Sequence, residues 1–220
     1  MFTGIIETTG TVRRVSGGGD SFSLAVEIPS PSKEIKAGDS VAVDGVCLTA
    51  TGVSGSVVEM DVGEETYRRT TLKRLRPGAR VNIETSLTAE KALGGHFVTG
   101  HVDAEGTVAA VSARRTQREM RISHPPELAP FIVEKGSVAV DGISLTVGET
   151  GDGWFAVYLI PHSWENTTLS GKRAGAAVNL EVDIIARYVW KVLGTISGGG
   201  KEGGIMELLE KYGYTGGGSK

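Results

Sequence analysis

Cysteine is almost missing: Cys47 is the only one in the chain, so no disulfide can form within it. A protein without disulfides suits a reducing compartment, and the expected address is cytoplasmic. No apolar run approaches the ~18 residues of a membrane-spanning helix, and the opening MFTGII lacks the basic start of a secretory signal. No membrane partner is therefore expected. Aromatic residues are scarce at 6%, and the net charge is −3. A barrel that binds nucleic acid needs a basic groove set with stacking rings, so both deficits argue against nucleic-acid partners. One basic run, TYRRTTLKRLR (66–76), reads as a solvated loop or a subunit contact.

Glycine is the opposite case, with 32 residues, about twice its usual share. Part of it falls in the tail (GTISGGGKEGG, then GYTGGGSK), which reads as flexible linker and frayed end. The rest punctuates short segments, as a turn-rich β-protein requires. The apolar share of 40% and charged share of 22% are ordinary for a globular protein, and 220 residues allow one large domain or two of about 100.

The stretch VAVDGVCLT (41–49) returns as VAVDGISLT (138–146), with seven of nine positions identical. Thr70-Thr71-Leu72 matches Thr167-Thr168-Leu169, and Gly78-Ala79 matches Gly175-Ala176, at the same offset of 97. Thr3-Gly4 matches Thr99-Gly100, and Gly10-Thr11-Val12 matches Gly106-Thr107-Val108, with a slip of one residue. Identity therefore recurs along the whole unit. The chain reads as two copies of one domain, 1–96 and 97–182, followed by a segment 183–220. Within each copy, SVAVDGVCLTA, SVVEMDV and ARVNIET alternate or run apolar between Gly, Pro and Asp breaks. Segments spaced by about ten residues predict two small antiparallel barrels that close their own edges, an all-β fold.

Helix is expected only in short pieces: turns at 31–35 and 125–133, and Thr-capped turns at TTLKRL (70–75) and TTLSGK (167–172). The strongest helix signal runs from Asp183 to Leu193, with Ile184, Ile185, Tyr188, Val189, Val192 and Leu193 at helical spacing. A second amphipathic turn or two is expected over Ile205–Tyr212. Lying outside the repeat, these helices are not needed by either barrel core. They are expected to associate with another subunit.

The opening MFTGII, the paired DGxxLT motifs, the segment GGHFVTGH and the duplication together resemble riboflavin synthase of the α-chain type, over residues 1 to about 190. The resemblance implies that each copy is a six-stranded Greek-key barrel binding one lumazine. It also implies a homotrimer held by C-terminal helices, with association with lumazine synthase as a further expected contact. The implied reaction is a dismutation without metal or organic cofactor. Two molecules of 6,7-dimethyl-8-ribityllumazine exchange a four-carbon unit, giving riboflavin and 5-amino-6-ribitylamino-uracil. A reaction between two copies of one molecule suits a chain with two copies of one site, where holding reactants together is worth roughly 7–11 kcal/mol.

By the same resemblance, the pockets are lined by Gly4, Ile5 and Ile6; Cys47, Leu48 and Thr49; and Asp61, Val62, Gly63, Glu64, Glu65 and Thr66. To these it adds Gly100, His101 and Val102; Lys135; Ser144, Leu145 and Thr146; and Ile160, Pro161, His162, Ser163, Trp164 and Glu165. Trp164 departs from the smaller or aliphatic residue usual there. The reaction needs unlike partners, so positions where the copies differ are the informative ones. Cys47 faces Ser144, Ile5 faces His101, Ala37 faces Lys135, and Glu64-Glu65-Thr66 faces Pro161-His162-Ser163.

His101, Cys47 and Ser144 are the catalytic candidates. His101 suits removal of a proton from the lumazine C7 methyl, and His96 is a weaker candidate for function. Water, Ser144 or Cys47 could add at C7; a Cys thiol would need activation by a neighbour. Phe2 is expected to order the N-terminus over the site, and Asp183 either caps the last helix or reaches the site. Asp44 and Asp141 read first as turn residues of DG pairs, and Asn82 and Asn179 first as structural.

Overall fold

Strand periodicity decides the architecture. Along Val57–Gly63 the side chains alternate, with Val58, Met60 and Val62 buried between more exposed neighbours. A period of two places every second side chain on one face, and a sheet curled on that face encloses a core. The computed structural model describes residues 1–18, 21–29 and 35–198. Residues Met1–Ile184 form one compact unit, and the described residues from Ile185 on belong to a second.

The first unit holds two closed, six-stranded antiparallel barrels. In the first, β1 (Thr8–Gly18), β2 (Ser21–Glu27), β3 (Ser40–Val43), β4 (Val46–Ser54), β5 (Val57–Gly63) and β6 (Arg80–Thr85) pair in the order β1-β2-β5-β4-β3-β6. The second repeats that order with β7 (Ala104–Ala113), β8 (Arg118–Ser123), β9 (Ser137–Val140), β10 (Ile143–Gly151), β11 (Trp154–Leu159) and β12 (Ala177–Val182). The jump from β2 to β3, past β5 and β4, is the Greek-key connection. Bulges fall at matching places, after Val12 and Val108 and again after Ala50 and Val147, and bend the strands into closure.

Each barrel has its own apolar core: Val12, Val26, Met60 and Ile83 in the first, Val108, Ile122, Val157 and Leu180 in the second. A third cluster, Phe2, Ala42, Val98 and Ala139, lies between them.

The 3-10 turns expected near 125–133 and at both TTL motifs form, at Pro126–Phe131, Thr71–Arg74 and Thr168–Gly171. Thr70 caps its turn by accepting from Leu72 N. Thr167 does not, although both hydroxyls donate back to the preceding helix, Thr70 to Thr66 O and Thr167 to Ser163 O, each at 2.7 Å. Residues 31–34 and 205–212 lie outside the described residues. Two short helices, α1 (Glu64–Arg69) and α2 (Pro161–Glu165), follow β5 and β11; at six and five residues they are too brief to leave a periodic signature. The last helix, α3 (Ile184–Gly198), leaves Ile185, Tyr188, Val189, Trp190, Val192 and Leu193 exposed. Among the described residues, no helix is long and apolar enough to cross a membrane.

Candidate functional site

The DG pairs do make turns. Asp44 and Gly45 have φ of 45° and 79°, and Asp141 and Gly142 repeat those values, as a type I′ hairpin turn requires. These tips are not solvated. They meet back to back: a Cβ on either Gly45 or Gly142 would stand 2.6 Å from the other's backbone N. Each Asp receives the backbone N–H of the following Asn, Asn82 to Asp44 Oδ1 and Asn179 to Asp141 Oδ1, both at 2.7 Å. Each Asn then crosses to the other barrel. Asn82 Nδ2 donates to Asp141 O at 3.0 Å and Asn179 Nδ2 to Asp44 O at 2.8 Å. Their Oδ1 atoms accept from Thr168 N and Thr71 N, both at 2.8 Å. The two Asn are therefore struts of a pseudo-twofold axis.

One position breaks that symmetry. Lys172 stands where the first copy has Leu75, and its Nζ lies 2.7 Å from Asp141 Oδ2. Burial, joined by the charge of Asp141, pushes Asp44 up to about 8, against the pull of Lys172. Asp141 is raised too, by burial. Burial lowers the Lys172 pKa, but the two carboxylates outweigh it and leave it above its ordinary value.

On this axis the segment that leads each copy crosses to the opposite barrel. Gly4 O accepts from Ser144 N at 2.8 Å, and Gly100 O accepts from Cys47 N at 2.9 Å. Phe2 and Val98 pair as an isolated bridge between the two leads. Ile6 consequently packs on the core of the second barrel and Val102 on the core of the first. Gly4 and Gly100 have φ of 74° and 81°, and a Cβ would fall 2.6 Å from Ser144 Cβ and 2.5 Å from Cys47 Cβ. Only glycine fits there. Buried carboxylates anchor the leads: Glu84 receives Thr3 N at 2.7 Å and Gly4 N at 3.0 Å, and Glu181 receives Thr99 N at 2.6 Å and Gly100 N at 3.0 Å.

The crossing assembles two clusters. In the first, Cys47, Glu65, Thr66, Gly100, His101 and Val102 line one cavity of about 200 Å³ together with Val46, Arg69 and Thr70. Thr49 pairs with Asp61 on the adjoining strands, and Gly63 and Glu64 lead into α1. In the second cluster, Ser144 stands in the place of Cys47, with Gly4, Ile5 and Ile6 in the places of Gly100, His101 and Val102. Thr146 continues β10, and on α2, entered at Ile160, His162 and Ser163 hold the places of Glu65 and Thr66, whereas Pro161, Trp164 and Glu165 line a different cavity beside the β7–β8 turn. The side chains of Leu48, Val62 and Leu145 belong to the barrel cores.

Lys135 is not tied to either cluster by any side-chain bond among the described residues. Its backbone N–H donates to Val147 O as that of Gly38 does to Ala50 O, so its counterpart is Gly38 and not Ala37. Both take a positive φ, 68° and 95°.

His96 is the residue whose place sequence reasoning undervalued. Its Nδ1 lies 2.7 Å from Ser144 Oγ, and its Nε2 is buried without a partner among the described residues. Burial lowers its pKa below the ordinary 6.5, against a smaller upward pull from Asp183. Gly95 brings it in: a Cβ there would collide with Thr3 O and stand 2.8 Å from Ser144 Cβ. A glycine pair before a histidine is the one signal that the sequence offers. His101 stays exposed, held by its backbone N–H on Thr99 Oγ1 at 3.3 Å.

Two barrels that trade their leading segments around a shared axis, with a polar cavity where one lead meets the opposite barrel, define a duplicated small-molecule-binding protein. The family described as lumazine binding domain matches the chain twice, at residues 3–86 and 99–183. The riboflavin synthase of Actinobacillus pleuropneumoniae is 39% identical over 193 residues, 88% of this chain and 90% of that one. The riboflavin synthase of Mycobacterium tuberculosis (strain ATCC 25618 / H37Rv) is 44% identical over 197 residues, 88% and 98% of the two chains. The crystal structure of LumP complexed with riboflavin superposes with a TM-score of 0.77 at 24% identity, covering 83% of this chain and 99% of LumP. That last likeness concerns the fold. The chain belongs to the riboflavin synthase family, built from two lumazine-binding domains.

Proposed function

We propose that the protein is a riboflavin synthase, converting two molecules of 6,7-dimethyl-8-ribityllumazine into riboflavin and 5-amino-6-ribitylamino-uracil. The observation that carries this reading is 39% and 44% identity to riboflavin synthases over nearly nine-tenths of the chain, with both lumazine-binding repeats present. The unlike chemistry of the two clusters supports it. Cys47 and His101 line one cavity, whereas Ser144 and His96 meet at the corresponding place in the other cluster. One lumazine must give carbons and the other receive them, so two similar pockets with different reactive groups suit the reaction.

In this reading a nucleophile adds at C7 of the acceptor. A neutral imidazole at His96 can take the proton of Ser144 or of a water held there, which favours those over Cys47. His101, or the second substrate, removes a proton from the C7 methyl of the donor. The resulting carbanion attacks the acceptor, and two eliminations divide the adduct. Lumazine is its own electron sink, so the protein chiefly positions and hydrogen-bonds. Residues 1–96 and 97–182 serve as the two lumazine domains, and 183–220 as a helical segment that joins three chains. A cytoplasmic homotrimer, able to associate with lumazine synthase, completes the reading.

The test is incubation with 6,7-dimethyl-8-ribityllumazine alone, chelator present, with riboflavin followed by absorbance. Riboflavin at half the molar amount of lumazine consumed supports the dismutase. Tight binding without riboflavin would make the protein a lumazine carrier.

A further inference from the structure

Helix α2 has a second side. His162 and Ser163 occupy the places that Glu65 and Thr66 take in the first pocket. Pro161, Trp164 and Glu165 instead line a separate cavity of about 260 Å³. Its other wall is the β7–β8 turn, brought there because Arg118, which starts β8, pairs with Leu159 at the end of β11. Arg114, Arg115 and Arg118 converge on it. Arg114 is committed to Glu119, with Nε 2.7 Å from Oε2. Arg115 and Arg118 have no carboxylate partner among the described residues. The Arg118 guanidinium lies 5.8 Å from the centre of the Trp164 ring. Glu165 is the one carboxylate of the lining, so the two unpaired arginines leave the cavity net positive.

The first barrel fills this place. There Phe22, the counterpart of Arg118, stacks on Tyr67, the counterpart of Trp164, with centroids 3.8 Å apart and planes at 8°. Glu64 and Arg68 pair along the same helix. The repeat has thus turned a closed aromatic pair into an open cavity with an indole, the Arg118 guanidinium over its ring, and Arg115 beside it without a carboxylate partner among the described residues.

We infer that this cavity is a binding site for a phosphate monoester carried on a planar aromatic ring, separate from both lumazine pockets. Guanidinium forks match phosphate oxygens in geometry and charge, and an indole face takes a flat ring. Occupation would bear on the reaction through α2, whose His162 and Ser163 hold the places of the pocket-lining Glu65 and Thr66. The site itself stands whether or not the proposed reaction is correct.

The experiment uses the full chain, with phenyl phosphate, inorganic phosphate and phenol as probes, followed by calorimetry and tryptophan fluorescence. Phenyl phosphate is expected to saturate one site per chain and to bind at least about tenfold more tightly than inorganic phosphate, with no saturable binding of phenol. Replacing both Arg115→Ala and Arg118→Ala should weaken phenyl phosphate at least about tenfold. Trp164→Leu should bring it to the level of inorganic phosphate. Failure of phenyl phosphate to saturate, or equal binding by the double arginine variant, would overturn the inference. So would displacement by saturating 6,7-dimethyl-8-ribityllumazine, which would place the anion in the substrate pocket instead.

Discussion

At the scale of residues, the buried Asp44, Asp141 and Lys172 matter most for stability. Asp44 is raised from 3.8 to about 8, so it keeps its proton at neutral pH and acts there as a neutral hydrogen-bonding group. A folded-state pKa above the unfolded value means that folding takes up a proton. The stability linked to it is full below about pH 4 and is lost as pH rises through about 8. The urea midpoint should therefore fall between those limits, and Asp44→Asn, which mimics the protonated acid, should remove most of the fall; an unchanged pH dependence in the variant would refute this. Lys172→Leu restores the residue of the first copy but strips Asp141 of its partner. It should cost about 3 kcal/mol at neutral pH, measured by the same unfolding. His96 is shifted the other way. Its burial keeps the imidazole neutral, so turnover should be level around neutral pH and decline only below the ordinary 6.5. His96→Gln should lower kcat while altering the acid limb of the profile.

At the scale of elements, the crossed leading segments are the critical feature. Gly4→Ala puts a methyl on Ser144 and Gly100→Ala puts one on Cys47, each at a positive φ. Each should dislodge one lead and spoil one pocket, so riboflavin bound per chain in equilibrium dialysis should drop by one site while the other pocket persists. Loss of both sites from either change would mean that the leads hold the whole unit together.

The strands themselves were legible because the cores demand alternation, and the turn at Asp44-Gly45 because two consecutive positive φ angles favour such a pair. The crossing was not legible. Nothing in local pattern says whether Gly4 docks on Cys47 or on Ser144, since that depends on how the barrels pack. The same packing hid His96. A lone histidine in a loop has no periodic signature, and its burial follows from a glycine contact far along the chain. The pairing of Lys135 with Ala37 failed for a simpler reason: the offset of 97 residues already sets Lys135 against Gly38, and the matching backbone bonds agree.

At the scale of the whole molecule, duplication supplies what a two-substrate reaction with one substrate needs. Two clusters in corresponding places arise from one fold, and divergence at Cys47/Ser144 and Ile5/His101 makes them chemically unequal. The exposed apolar side chains of α3 fit the proposed subunit contact, since surface patches of that kind mark association. Val189→Asp should therefore lower the mass seen in sedimentation from trimer towards monomer. An unchanged mass would move the contact elsewhere.

The most direct measurement uses an equal mixture of unlabelled lumazine and lumazine carrying carbon-13 in both ring methyl groups, with the riboflavin weighed by mass spectrometry. Dismutation predicts unlabelled, half-labelled and fully labelled riboflavin in binomial proportion, because each product draws methyl carbons from two substrate molecules. Riboflavin without the half-labelled species would contradict a reaction between two lumazines, and with it the reason for two pockets in one chain.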